Sequence, residues 1–372
     1  MANPRGVVSR SVALRAGHAA VRHRWMDKSA WTLLEQTRCA AGASFVAILT
    51  GSRLIPQALC LHRQLQRVAS DCPLHLVHEE VAPEGLKQLA LTLGEARLLP
   101  ASWLFEQAGN LSLTMQRRVP GRRLFDNPQR FFAQNLMIKL LLFALPPDRF
   151  SQVLYLDLDV FVRKNVDAVA SLHFTEAIAA VHATACVGYR WDPFNSGVLV
   201  VRPSLQMLRG LLLRTCYYVA EPNHYMLTTY ETIFGSSCER FRRDRLQPVR
   251  GNERSMLKVC ERYMLDQSVL NMQFRASYRR LPYAYNVDAR TKLAPVDVSA
   301  LAIVHFAGEP KPWLSCGQSS SVPGRLKRDA SRRAGHNVTT LRGLVHETAK
   351  EEYCDVCQDL LPKAPRVRAQ RK

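Results

Sequence analysis

The sequence predicts an α/β fold: a mostly parallel sheet with helices on both faces, in one large domain. Three observations predict it. Short apolar runs that read as buried strands alternate with helix-spaced segments across residues 45–313. The 372 residues are 47% hydrophobic and 22% charged, which supplies a sizeable core and excludes collagen-like, low-complexity and wholly disordered chains. At this length, single α/β domains of about 250 residues are common.

In chain order, Phe45–Thr50 is a β-rich apolar run. Arg53–Ala69 places Leu54, Ala58, Leu61, Leu65 and Val68 at helical spacing. Leu74–His78 alternates like a strand, Glu84–Leu93 reads as a second helix and Arg97–Leu99 as a third strand. Phe131–Leu145 is a strongly apolar helix stopped by Pro146-Pro147. Val153–Leu156, Ala177–Val181 and Gly197–Val201 are buried strands, the last closed by Pro203. Ser204–Val219 and Asp266–Phe274 are helices, and Ala302–Phe306 is a late strand. Gln107–Gln129 and the basic stretch Glu239–Lys258 read as surface loops. Residues 1–44 form a basic arm or transit-like segment, and 314–372 a basic tail or accessory element, amphipathic near Thr340–Leu361.

Net charge is +20, with +5 in residues 1–44 and +6 in 314–372. Such a balance favours anionic partners or a solvated basic surface. The basic clusters lack the aromatic interleaving of a base-stacking surface, which argues against nucleic acid. No stretch approaches 18 uninterrupted apolar residues, so no transmembrane segment is expected, and the N-terminus shows no apolar secretory core. The cytosol is the default compartment, with an organelle as alternative through the Arg-rich N-terminus. The ten cysteines are irregularly spread and read as reduced, mostly buried thiols. Cys354 and Cys357 form a single CxxC with no second ligand pair nearby, a weak zinc signal.

The chemistry concentrates in four places. Val153–Leu156 runs into Asp157 and Asp159, two carboxylates at i, i+2 where a strand ends. In open α/β sheets ligands bind at that end, and hard carboxylate oxygens suit magnesium or manganese beside a diphosphate. Asn195, Ser196 and Gly197 open a buried strand, and the glycine permits close approach of a ligand or backbone. Asp266 and Gln267 start a helix. His305 ends a strand, with Gly308 and Lys311 placed to meet phosphate.

Together, the motifs LYLDLD, FNSGVLVVRPS, DQSVLNMQF, LPYAYN and VHFAGEPKPW, in this order over residues 45–313, resemble glycosyltransferase family 8, the retaining nucleotide-sugar transferases that include glycogenin. The resemblance implies a Rossmann-like GT-A fold. It implies a divalent metal, most often manganese, held by Asp157, Asp159 and His305. It places Gly308 and Lys311 at the diphosphate, Lys139, Leu158, Asn195 and Ser196 at the donor, and Ile48 and Thr50 at the uridine. Asp266 and Gln267 match the pair beside the reacting anomeric carbon; retention needs either a covalent intermediate or same-face attack, and the poor nucleophile Gln267 favours same-face attack.

Gly51, Leu54 and Ser268 depart from the family's Asn, Tyr and Gly, and no Tyr between Asn286 and Val304 matches the self-glucosylated residue of glycogenin. The expected activity is transfer of a hexose from a UDP-sugar to an acceptor (sugar, polyol, protein or glycolipid) that the sequence leaves open. The alternative is a weak or inactive scaffold that binds nucleic acid or membrane through its basic flanks.

Overall fold

The structure, a computed structural model, describes residues 34, 38–107, 138–183, 193–211, 265–274, 277–289, 298–307, 311–314, 316 and 338–361. The expectations for the N-terminal arm up to residue 33, for most of 107–129, for 131–137, for 212–219, for the basic stretch 239–258 and for Gly308 fall outside these residues.

The chain begins with β1 (Ala43–Thr50), α1 (Ile55–Arg67), β2 (Leu74–Glu79), α2 (Pro83–Leu93), β3 (Leu98–Pro100) and α3 (Ala101–Gln107). Proline sits in the first turn of α1 and of α2, where its missing N–H costs nothing. A 3-10 helix at Ile138–Ala144 precedes β4 (Gln152–Leu156), β5 (Val160–Val162), α4 (Asp167–Ala170), β6 (Ile178–His182) and β7 (Phe194–Val201). Then come α5 (Leu265–Phe274), β8 (Arg279–Arg280), β9 (Val287–Asp288), β10 (Ile303–His305) and α6 (Val338–Cys357).

Seven strands form one sheet in the order β3-β2-β1-β4-β7-β6-β8. β3, β2, β1 and β4 run parallel, as do β6 and β8, while β7 is antiparallel to both β4 and β6. The mostly parallel sheet expected from strand–helix alternation is present, with β7 as its reversed member. That reversal matters, because it brings the start of β7 beside the C-terminal end of β4 (Leu156 pairs with Val198). A small sheet, β5-β10-β9, stands next to it.

Side chains alternate between two cores. Phe45, Ala47, Leu49, Leu154 and Leu156 face the side covered by α1, α2 and α6. Val46, Val153 and Tyr155 face the side covered by α3, the 3-10 helix and α5. Strands buried on both faces explain the near-continuous apolar runs. The segment expected as the helix Phe131–Leu145 is, where described, 3-10, and all seven of its residues are buried. A segment covered on every side shows no amphipathic period that sets its helix type.

The cysteines correct the sequence reading. The six described ones form three disulfides: Cys39–Cys72, Cys60–Cys357 and Cys316–Cys354. Their Cα separations of 5.0, 5.3 and 5.4 Å suit bridging. Cys354 and Cys357 each pair with a different distant partner and share no zinc site. Among the described residues no helix is long and apolar enough to cross a membrane.

Candidate metal and donor site

Strand β4 ends at Leu156, and a turn follows in which the Val160 N–H donates to the Asp157 carbonyl at 3.2 Å. Asp157 and Asp159 therefore sit in a turn at the C-terminal end of the central strand β4, not on a regular strand. The Asp157 N–H donates to the Gly197 carbonyl at 2.9 Å, which locks the turn against β7. Beyond it, β5 pairs antiparallel with β10, so that Val160 lies opposite His305. The Phe306 N–H donates to the Asp159 carbonyl at 2.9 Å. Two strand pairs thus bring residues far apart in sequence to one point.

At that point Asp157, Asp159 and His305 offer ligand atoms within 4.8 Å of one another. His305 Nε2 lies 3.2 Å from Asp159 Oδ1 and 3.8 Å from Asp157 Oδ2. Its Nδ1 is 3.1 Å from Asn286 Oδ1. Asn286 Nδ2 donates to Asn195 Oδ1 at 2.9 Å, so the Asn286 oxygen is the end left for His305. That assignment puts a proton on Nδ1 and turns Nε2 toward the carboxylates, the nitrogen through which this histidine would bind a metal.

The ring lies against the backbone of Gly197, where an added Cβ would stand 2.1 Å from His305 Cε1. The close approach that a glycine permits here is that of the imidazole. Lys311 Nζ donates to Asp159 Oδ2 at 2.5 Å and to the Phe306 carbonyl at 2.8 Å.

A second, drier network lies behind. Lys139 is 4% exposed and sits on the 3-10 helix. Its Nζ is 3.2 Å from Asp157 Oδ1 and 2.7 Å from Asp266 Oδ2. Ser196 Oγ donates to Asp266 Oδ2 at 2.9 Å, and the Ser196 N–H donates to Gln267 Oε1 at 3.0 Å. Tyr155, two residues before Asp157 and near the end of β4, donates its hydroxyl proton to Asp157 Oδ1.

The charges explain one another. Burial opposes ionisation of Asp159, but His305 and then Lys311 outweigh it and hold the carboxyl well below its usual range. Burial disfavours charged His305, yet Asp159 and Asp157 raise its pKa above the ordinary value. Burial likewise disfavours charged Lys139, and Asp157 and Asp266 more than restore it.

The sequence-selected residues fall into three groups. Asp157, Asp159, His305 and Lys311 meet directly, and Lys139, Asp266, Gln267, Ser196 and Asn195 form the supporting network. Ile48 and Thr50 stand at the C-terminal end of β1, and Leu158 lies between the two carboxylates; all three are half-buried. Sequence reasoning missed Tyr155 and Asn286. For Tyr155 the period-2 spacing to Asp157 was the available signal; Asn286 closes the LPYAYN motif.

The donor set fits a hard divalent cation: two carboxylates and one correctly presented imidazole, with a glycine that makes room for the ring.

No family model matches the chain. One stretch of 78 residues is 35% identical to glycogenin from Neurospora crassa, covering 18% of this chain and 11% of that protein. The chain therefore spans about a tenth of the length of the curated relative it matches. Among solved structures, the galactosyltransferase LgtC in complex with donor and acceptor sugar analogs is 14% identical, with a TM-score of 0.45, over 87% of this chain and 98% of that one. The glycosyltransferase GlyE of Streptococcus pneumoniae is 18% identical, with a TM-score of 0.41, over 81% and 63%. Mouse xyloside xylosyltransferase 1 is 12% identical, with a TM-score of 0.38, over 72% and 99%. The chain resembles glycosyltransferase family 8 in the order of its motifs and, over the matched stretch, glycogenin in its sequence.

Proposed function

We propose that this chain is a metal-dependent, retaining glycosyltransferase that moves a hexose from a UDP-sugar to an acceptor hydroxyl. The observation that carries the reading is the convergence of Asp157, Asp159 and His305 beyond the C-terminal end of β4, with Lys311 on Asp159. The sequence match to glycogenin supports the same class.

A bound divalent cation, most simply manganese, supplies Lewis-acid neutralisation of the diphosphate. The rest falls to this chain's residues. Lys311 is placed to turn from Asp159 toward the departing phosphate and to balance its growing charge. Asp266, paired with Lys139 and accepting from Ser196, faces the positive charge that develops at the anomeric carbon. Gln267, whose side-chain oxygen already accepts from the Ser196 N–H, orients the sugar and does not serve as a nucleophile. Same-face attack then follows, with the acceptor hydroxyl entering beside the leaving diphosphate.

Turnover of UDP-hexoses with added manganese tests the proposal. Asp157→Asn, Asp159→Asn and His305→Ala are expected to lose at least about a hundredfold in rate while each keeps a cooperative melt. Undiminished turnover in all three variants would refute it.

A further inference from the structure

Helix α6 lies beyond the stretch that carries the transferase motifs, yet its side chains pack against residues next to Asp159, His305 and Lys311. Tyr353 on α6 is 1% exposed. Its ring packs against Phe161, Phe306 and Trp313 at centroid distances of 5.9, 6.2 and 6.0 Å. Those three aromatics stand two, one and two positions beyond Asp159, His305 and Lys311. His346, two turns earlier on α6, meets Phe306 edge-on at 5.6 Å. Glu352 takes a two-pronged ion pair from Arg163, at 2.7 and 2.8 Å, just after β5.

Two disulfides fix the helix. Cys60–Cys357 joins it to α1, and Cys316–Cys354 joins it to the segment that follows Lys311. Lys311 stands directly before the short 3-10 helix Pro312–Leu314, and its Nζ reaches back to Asp159 and to the Phe306 carbonyl. The Cys316 bridge, five residues on, ties this segment to α6.

We propose that α6 is the fixed outer wall of the donor-phosphate site, that the Cys316–Cys354 disulfide fastens the Lys311 segment to it, and that the protein works in an oxidising compartment. Rooms that keep glutathione reduced do not maintain such bonds. Reduction by a dithiol passes two electrons to the bond: Cys316 and Cys354 leave as thiols, and the reagent closes as its own disulfide. The Lys311 segment must then be ordered at the moment of binding, and the apparent affinity falls by the fraction of time it is in place. This inference rests on the proposed nucleotide-sugar site. On this proposal the compartment differs from the cytosol expected from the sequence.

The test uses the full oxidised chain and UDP with manganese as the probe. Cys316→Ser/Cys354→Ser is compared with Cys39→Ser/Cys72→Ser, a bridge remote from Lys311. Substitution is used because reduction would reach every bridge in the chain. The first variant is expected to raise the dissociation constant for UDP by about tenfold and to speed amide exchange in residues 303–316. The second should lower the melting temperature and leave the dissociation constant within about twofold.

Unchanged UDP affinity and unchanged exchange in the Cys316/Cys354 variant would overturn the proposal. If the parent itself binds no UDP, the transferase reading fails, and the fastening role is decided by amide exchange alone. Faster exchange in 303–316 only without this bridge supports it, and equal exchange in both variants overturns it.

Discussion

At the residue scale, the site depends on who stands next to whom more than on the ligands alone. Gly197 shows this most clearly. Its backbone is not in a glycine-only conformation, but any Cβ would collide with the His305 ring. Gly197→Ala is expected to push the imidazole out of line with Asp157 and Asp159. Manganese affinity should fall by about tenfold or more, with about 1–3 kcal/mol lost from overpacking. Calorimetric titration with manganese, beside a melt, separates the two effects; unchanged affinity would deny that Gly197 seats the ligand.

The carboxylates were legible in the sequence because two acids at i, i+2 after a buried strand need compensation. Tyr155 and Asn286 were not, because their roles are set by partners. Asn286 serves by aiming His305, 19 residues downstream, and Tyr155 looks like any apolar strand residue until Asp157 turns back over it.

At the element scale, the apolar runs announced β1, β2, β4 and β7, since buried strands must be continuous in character. The sequence did not announce that β7 runs backwards. That direction depends on the crossover, and alternation alone reads as parallel. Yet the reversal is what sets Asn195, Ser196 and Gly197 beside Asp157.

Two strands also carry a pH liability. Burial, and then Arg149 and Arg97, hold the pKa of His75 on β2 down to about 4; burial and then Arg280 do the same for His182 on β6. Below the ordinary histidine value of about 6.5, the unfolded chain takes up protons that the folded chain refuses. Stability is therefore lost as pH falls from there toward 4, by at most about 1.4 kcal/mol per pH unit for each group. His305 acts in the opposite sense in the metal-free chain, because its pKa is raised. His75→Leu, which keeps the apolar contact with Phe150, is expected to flatten the acid limb of a plot of melting temperature against pH. An unaltered limb would show that His75 is not its source.

At the scale of the whole molecule, the pairing of cysteines is the feature least visible in sequence. Cys60 and Cys357 are 297 residues apart, and no spacing rule links them. The same distance hid the place of α6, whose amphipathic pattern is legible but whose partner face is assembled from α1, Phe161, Phe306 and Trp313. The basic charge, by contrast, is plain in the sequence. Around the described site it takes the form of two lysines committed to carboxylates, Lys139 to Asp157 and Asp266, and Lys311 to Asp159.

The central claim is that this arrangement holds a metal-bound nucleotide diphosphate. The most direct test is the melting temperature of the purified full-length protein against a panel of nucleotide sugars, with manganese and with a chelator. A ligand that binds only the folded chain raises it by mass action. The expected result is an upward shift with a UDP-hexose and manganese that the chelator abolishes. A well-folded protein that shifts with none of the donors, or equally with and without metal, would contradict it.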